Sequence, residues 1–149
     1  YTLESSHSLR PGDAVRVAID WPRRYRLMRL HFAAEIVLEL AIRRFSPIEK
    51  IGAHIAEDRA RIDFASERSL SADLPALQAE ANALVAADHP IVSHFTDEAA
   101  GRRVWAIAGF ASVPCGGTHL RRTGEVGAIT LRRRNPGRGK ERIEITLDE

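Results

Sequence analysis

The chain has a single cysteine, Cys115, in 149 residues. One thiol excludes an internal disulfide and fits a reducing compartment, so a cytoplasmic location is expected. No run approaches the roughly 18 apolar residues of a membrane span. No signal-peptide pattern of basic start, apolar stretch and small-residue cleavage site is present. There is no internal repeat, which excludes a solenoid or propeller. A strong net charge is also missing: the formal value is +2, so general adhesion to polyanions is not the expectation. The first residue is Tyr1 rather than Met, as expected of a trimmed N-terminus.

What is present is an ordinary apolar fraction of 44%, enough for one domain with a real core and at most a small appendage. The near-neutral total hides an asymmetry. Arg121, Arg122, Arg132, Arg133, Arg134, Arg138, Lys140 and Arg142 are opposed only by Glu125 and Glu141, while the stretch from Asp58 to Glu98 leans acidic. A basic end on a neutral chain suggests a local polyanion contact; the plainer reading is a solvated arginine-rich face.

Along the chain, Pro11-Gly12-Asp13 signals a turn and Ala14 to Ile19 alternates like a half-buried strand. Asp20 can cap a helix with Pro22 in its first turn. That helix is expected from about Pro22 to Arg44, with Tyr25, Met28, Phe32, Ile36 and Leu40 as its stripe. Arg23, Arg24, Arg26 and Arg29 crowd its N-terminal turns against the helix dipole, a cost that an anionic partner would offset. Ser46-Pro47 ends it. Strand-like runs at 50–56 and 60–65 form a hairpin, and a second helix opens at Asp73 and Pro75 and reaches about Ala87. Further strands are expected at 91–95 and 104–110, and 126–133 should pair with 142–147 across Asn135-Pro136-Gly137-Arg138-Gly139. The order implies an α+β two-layer sandwich: two main helices on a mostly antiparallel sheet.

Two short spacings carry chemistry. Cys115 and His119 stand four apart across Gly116 and Gly117, which allow the tight turn that lets a thiolate and an imidazole close on one ion. His31 and Glu35 also stand four apart, on one face of the first helix and about 6 Å apart at the backbone. The resulting N, O, S, N set suits zinc. With all four bound the site is closed; if Glu35 swings off, it can act as a base instead. Taken singly, each residue also has an everyday role: His31 semi-buried, Glu35 on the surface, Cys115 as a small core residue.

The stretch from Pro114 to Gly127, Pro-Cys-Gly-Gly-Thr-His-Leu-Arg-Arg-Thr-Gly-Glu-Val-Gly, resembles the signature of the editing domain of alanyl-tRNA synthetases and of the free-standing AlaX-type editing proteins. Arg26 to His31 resembles the start of that family's first metal motif, and Ile51 to His54 with Asp58 to Phe64 the hairpin after it. The similarity runs from about Pro11 to Leu147. It implies a zinc-dependent hydrolase that deacylates mischarged tRNA, typically Ser-tRNA(Ala), acting in trans on the aminoacylated acceptor end. The family pattern is His-x-x-x-His followed by Cys-x-x-x-His. This chain matches it at His31, Cys115 and His119 and departs at Glu35. It departs again at Phe32, where the family usually has a small hydroxyl residue near the substrate. The resemblance further implies that Phe32 and Thr118 lie at the substrate, that backbone N–H groups at Gly116 and Gly117 steady the oxyanion, and that Arg132, Arg133, Arg134, Arg138 and Lys140, extended by Arg23 and Arg24, contact the RNA. Residues 1–20 would be the last strand of an N-terminal barrel-like subdomain, and 21–149 the editing domain. The two departures leave open a deacylase retuned to a threonine-like or nonstandard aminoacyl-tRNA, or a tRNA-binding relative with weakened catalysis.

Overall fold

The computed structural model describes residues 7–148. The first helix, α1, spans Trp21–Phe45. Its start is set by Asp20, whose carboxylate accepts the Arg23 N–H at 3.1 Å, a cap worth about 1 kcal/mol. Its end is set by Pro47, which drives Ser46 to an extended backbone, φ −56° and ψ 134°. Leu30, Phe32, Ala33, Ile36, Val37, Leu40 and Ala41 are buried along one side, and each large apolar side chain removed from water there contributes about 1.5–3 kcal/mol.

Strands β1 (Glu49–Ile55) and β2 (Ala60–Ala65) form the expected hairpin. Helix α2 covers Leu74–Ala86. Next come β3 (Val92–Asp97), β4 (Arg102–Ile107), β5 (Ala111–Pro114), a 3-10 turn at Thr123–Val126, and the hairpin β6 (Ile129–Gly137) with β7 (Lys140–Leu147). The strands divide into two antiparallel sheets, β1-β2-β7-β6 and β3-β4-β5. Both helices lie on one face of the larger sheet: α1 over β1, β2 and β7, α2 over β6. Strands β2 and β7 bury every second residue toward them, Ala60, Ile62 and Phe64 on one, Ile143, Ile145 and Leu147 on the other. This is the α+β sandwich expected from the sequence.

Two elements differ from expectation. Residues 14–19 alternate as a strand does, yet among the described residues they pair with nothing, and Val15, Val17 and Ile19 are 63%, 64% and 70% exposed. A strand needs a ladder partner for its N–H and C=O groups, and none lies beside this one. Residues 1–6, the first part of the proposed N-terminal remnant, lie outside the described residues. The strand expected at 104–110 stops at Ile107, because a turn through Gly109, at φ +74°, reverses the chain into β5. That reversal creates the second sheet.

Candidate metal centre

His31 projects from the middle of α1. Cys115 follows β5, and His119 closes the glycine loop. The loop is pinned on its far side: Leu120 is buried at 3% exposure, the Arg121 carbonyl accepts the Ile91 N–H at 2.8 Å, and the Glu125 carboxylate takes the Arg121 and Arg122 N–H groups at 2.8 and 2.9 Å. Arg122 also grips Asp88 at 2.7 Å. Two members of the basic cluster therefore brace this loop.

The donor atoms of His31, Cys115 and His119 all lie within 4.8 Å of one another. The His31 and His119 rings stack at 5.3 Å between centroids, and His31 Nε2 is 3.7 Å from Cys115 Sγ. His119 Nδ1 shares a hydrogen bond with Ser93 Oγ at 3.2 Å. Its Nε2 is buried with no hydrogen-bond partner among the described residues, although buried polar atoms are almost always paired. In the tautomer whose Nδ1–H donates to Ser93 Oγ, Nε2 carries the lone pair, and a metal ion would satisfy this buried atom and suit an N, N, S donor set. Burial, then the charge of His31, depress the His119 imidazole to about pKa 4 against the opposing Glu35, so the ring is neutral near pH 7, as ligation requires. Burial pushes the Cys115 thiol up; the Gly117 N–H, directed at it, works the other way, and the Glu35 charge adds to the rise.

Glu35 stands beside this triangle without belonging to the three-residue group. Its Oε1 is 3.4 Å from His31 Nε2 and 3.9 Å from Cys115 Sγ, while its Oε2 accepts the Trp105 indole N–H at 3.0 Å. Burial pushes its carboxyl up, but hydrogen bonds from His31 and Trp105 with the charges of His31 and His119 outweigh that, and the net shift is downward. Phe32 was expected at the substrate. It is fully buried, edge-on to Trp105 at 5.1 Å and to His119 at 5.8 Å, and lines neither cavity beside the centre. A large apolar ring at that helix position turns inward to the core, where it backs His119.

Two cavities meet at His31 and Ile55. One, about 280 Å³, is walled by Arg24, Leu27, Met28, Gly117 and Thr118. The other, about 360 Å³, is walled by Glu35, Leu38, Lys50, Ala53 and His54. Thr118 therefore does face a cavity, and Arg24 donates to its hydroxyl at 2.6 Å. Arg23 pairs with Glu57. The arginines of β6 sit elsewhere. Arg132 shares a cross-strand row with Glu144, Arg61 and His54, three strands from β1, or roughly 15 Å at ~4.8 Å per strand. Arg134 pairs with Glu144 at 3.2 Å. Arg133 is turned to the helix side and clasps the buried Glu141 with two bonds of 2.7 and 2.5 Å. Arg138 and Lys140 flank the β6–β7 turn, beside Ser66 at the other end of β2 from the site. Ser93, Arg103 and Trp105 were not singled out from the sequence. Their alternation on β3 and β4 was visible, but it points at the centre only once β5 pairs with β4 and brings Cys115 alongside.

Residues 103–144 match the family described as threonyl and alanyl tRNA synthetase second additional domain. The chain is 33% identical over 167 residues to the alanyl-tRNA editing protein AlaX-M of Saccharolobus solfataricus, covering 99% of this chain and 70% of that protein. The chain belongs to the alanyl-tRNA editing family. The AlaX-M of Methanosarcina acetivorans is 29% identical across 93% of this chain and 65% of its own length. The alanine–tRNA ligase of Methanopyrus kandleri is 33% identical across 89% of this chain but only 16% of the ligase. Against the two editing proteins, the chain spans between 65% and 70% of their length. As a member of this family it carries the His31, Cys115, His119 group that can hold a metal, and none of its described helices is long and apolar enough to cross a membrane.

Proposed function

We propose that the chain is a trans-acting deacylase that hydrolyses the ester of mischarged aminoacyl-tRNA, Ser-tRNA(Ala) or a close analogue, with a zinc ion held by His31, Cys115 and His119. The observation that carries this reading is the buried, unpartnered Nε2 of His119, a residue grouped with His31 and Cys115 as donors within 4.8 Å of one another, in a chain of the editing family. Bound there, the ion supplies Lewis acidity at the ester. Ser93 and Phe32 hold the His119 ring, and the Gly117 N–H steadies the Cys115 thiolate. Glu35, fixed by Trp105, accepts the proton of the attacking water and returns it to the leaving ribose oxygen. Water oxygen bonds to the carbonyl carbon and the ester C–O bond breaks, giving free amino acid and uncharged tRNA. Since the Gly117 N–H is directed at the thiol, the Gly116 N–H is the glycine donor left to meet the developing oxyanion.

Arg24 and Thr118 border the cavity where the acceptor end enters, with Arg23 behind them. Arg132, Arg138 and Lys140 extend the phosphate track across the sheet, positioning RNA without reading its sequence. Residues 1–20 would be what is left of an N-terminal barrel-like subdomain, and 21–149 the editing domain. The reaction belongs in the cytoplasm, where translation supplies its substrate.

The test is a deacylation panel of Ser-, Gly-, Ala- and Thr-tRNA with metal analysis of the same preparation. Clearance of at least one mischarged species by zinc-loaded protein, lost together with zinc in Cys115→Ala, is the expected result. Protein that binds no zinc and clears none of the four refutes the proposal.

A further inference from the structure

The small sheet carries a row of side chains that leads away from the metal centre. Cys115 continues β5, and its N–H donates to the Arg103 carbonyl at 3.0 Å. Arg103 is in turn the cross-strand partner of Phe95 on β3. Directly opposed residues of antiparallel strands share a face, so Cys115, Arg103 and Phe95 form one transverse row. Ser93, two residues before Phe95 and hence on the same face, confirms which way that face looks, because its hydroxyl reaches His119. The Arg103 guanidinium lies over the Phe95 ring at 5.4 Å from its centroid. The ring itself is 48% exposed, and every residue of β3 is solvent-facing. An exposed phenylalanine capped on one face by arginine thus stands two strand spacings, roughly 10 Å, from the metal-ligating thiol.

We propose that Phe95 and Arg103 form the seat for the unpaired 3′-terminal nucleotide of the RNA, its base stacked on the open face of Phe95 and its phosphate met by Arg103. The inference rests on the deacylase reading, because the ester at the centre is attached to the ribose of that same nucleotide. A ribose, with a base on one side and a phosphate on the other, spans the separation between ester and platform. Aromatic stacking accepts an unpaired base through its π-face, and a cation beside the ring adds phosphate attraction. The other exposed aromatic near α1, Trp21, already stacks on Tyr25 at 6.0 Å.

The experiment uses the zinc-loaded full chain and an uncharged RNA hairpin ending in an unpaired CCA, with 2-aminopurine as the terminal base. Stacking quenches this fluorophore, so wild-type protein is expected to dim it on binding. Phe95→Ala should abolish the quench and weaken binding roughly five- to a hundredfold, and Phe95→Trp should restore both. In deacylation, Phe95→Ala should raise KM with little change in kcat. Wild-type protein that hydrolyses its substrate but leaves the fluorophore bright, or Phe95→Ala that binds and quenches as wild type, overturns the platform while leaving the deacylase reading intact. Phe95-dependent quenching by a protein that clears no aminoacyl-tRNA upholds the platform and refutes the reading beneath it.

Discussion

Gly117→Ala isolates the geometry of the metal centre from everything else in the loop. The backbone at 117 does not occupy the left-handed region that favours glycine, so alanine is not excluded by φ. What it meets is His31: the added Cβ would sit 3.1 Å from Nδ1 and 3.2 Å from Nε2, and closer still to Cε1. Unstrained carbon contacts lie at about 3.5–4.0 Å, so the ring or the loop must retreat by more than about 1 Å. Metal ligation tolerates displacements of only about 0.2 Å. If the ring moves, one donor leaves the triangle; if the loop moves, Cys115 and His119 leave together. Zinc affinity should fall at least as far as when an outer partner of a ligand is lost, about 10- to 100-fold. Gly116→Ala is the internal control, since its Cβ would meet nothing within 4 Å, and its zinc affinity should match wild type. Competition against a chromophoric chelator measures both, with circular dichroism to verify the fold. Equal zinc affinity in Gly117→Ala and wild type refutes the proposal that His31, Cys115 and His119 close around one ion.

Four further variants test other parts of the structure. Trp105→Phe removes the indole N–H from Glu35 while keeping a ring against Phe32; kcat should drop by about tenfold or more, as for a hydrogen bond to a charged group worth about 1.5–3 kcal/mol, with zinc binding unchanged. Unaltered kcat would show that Glu35 needs no such anchor. Arg133 holds the Glu141 carboxyl below its ordinary range, its hydrogen bonds outweighing the opposing effect of burial. A folded pKa below the unfolded one contributes stability that is present above about pH 4.3 and is lost as pH falls through the lower folded value. Glu141→Gln should therefore lower Tm at neutral pH and flatten the acid limb of the Tm–pH curve, and parallel curves would contradict this. Arg24→Glu should weaken RNA binding and reduce its salt slope by about one; Arg133→Glu should lower Tm, because its charge is spent inside the protein.

Most of the fold was legible because its signals are local. The Asp20 cap, the stripe of α1, Ser46-Pro47, and the turns of both main hairpins each act within a few residues. Residues 14–19 mark the limit: alternation gives a strand its faces, but only a neighbouring ladder makes it a strand, and sequence does not report the neighbour. The second sheet was hidden for a related reason. A short turn at Ala108 to Phe110 splits what reads as one apolar run, and only the reversal puts β5 beside β4.

The site was legible to the extent that its spacing is local. His31 with Glu35 and Cys115 with His119 could be read as pairs because each pair spans about one helical turn or one glycine loop. That one oxygen of Glu35 is held by Trp105 could not be read, because the two stand 70 positions apart. The basic cluster shows the same limit. By charge count Arg122 and Arg133 are equivalent to Arg132, yet Asp88, 34 positions away, and Glu141, on the adjacent strand β7, neutralise the first two. Charge density announces a polyanion surface only after internal partners have been subtracted. After that subtraction, Arg103, which the cluster does not contain, is a cation that cross-strand register sets beside Cys115.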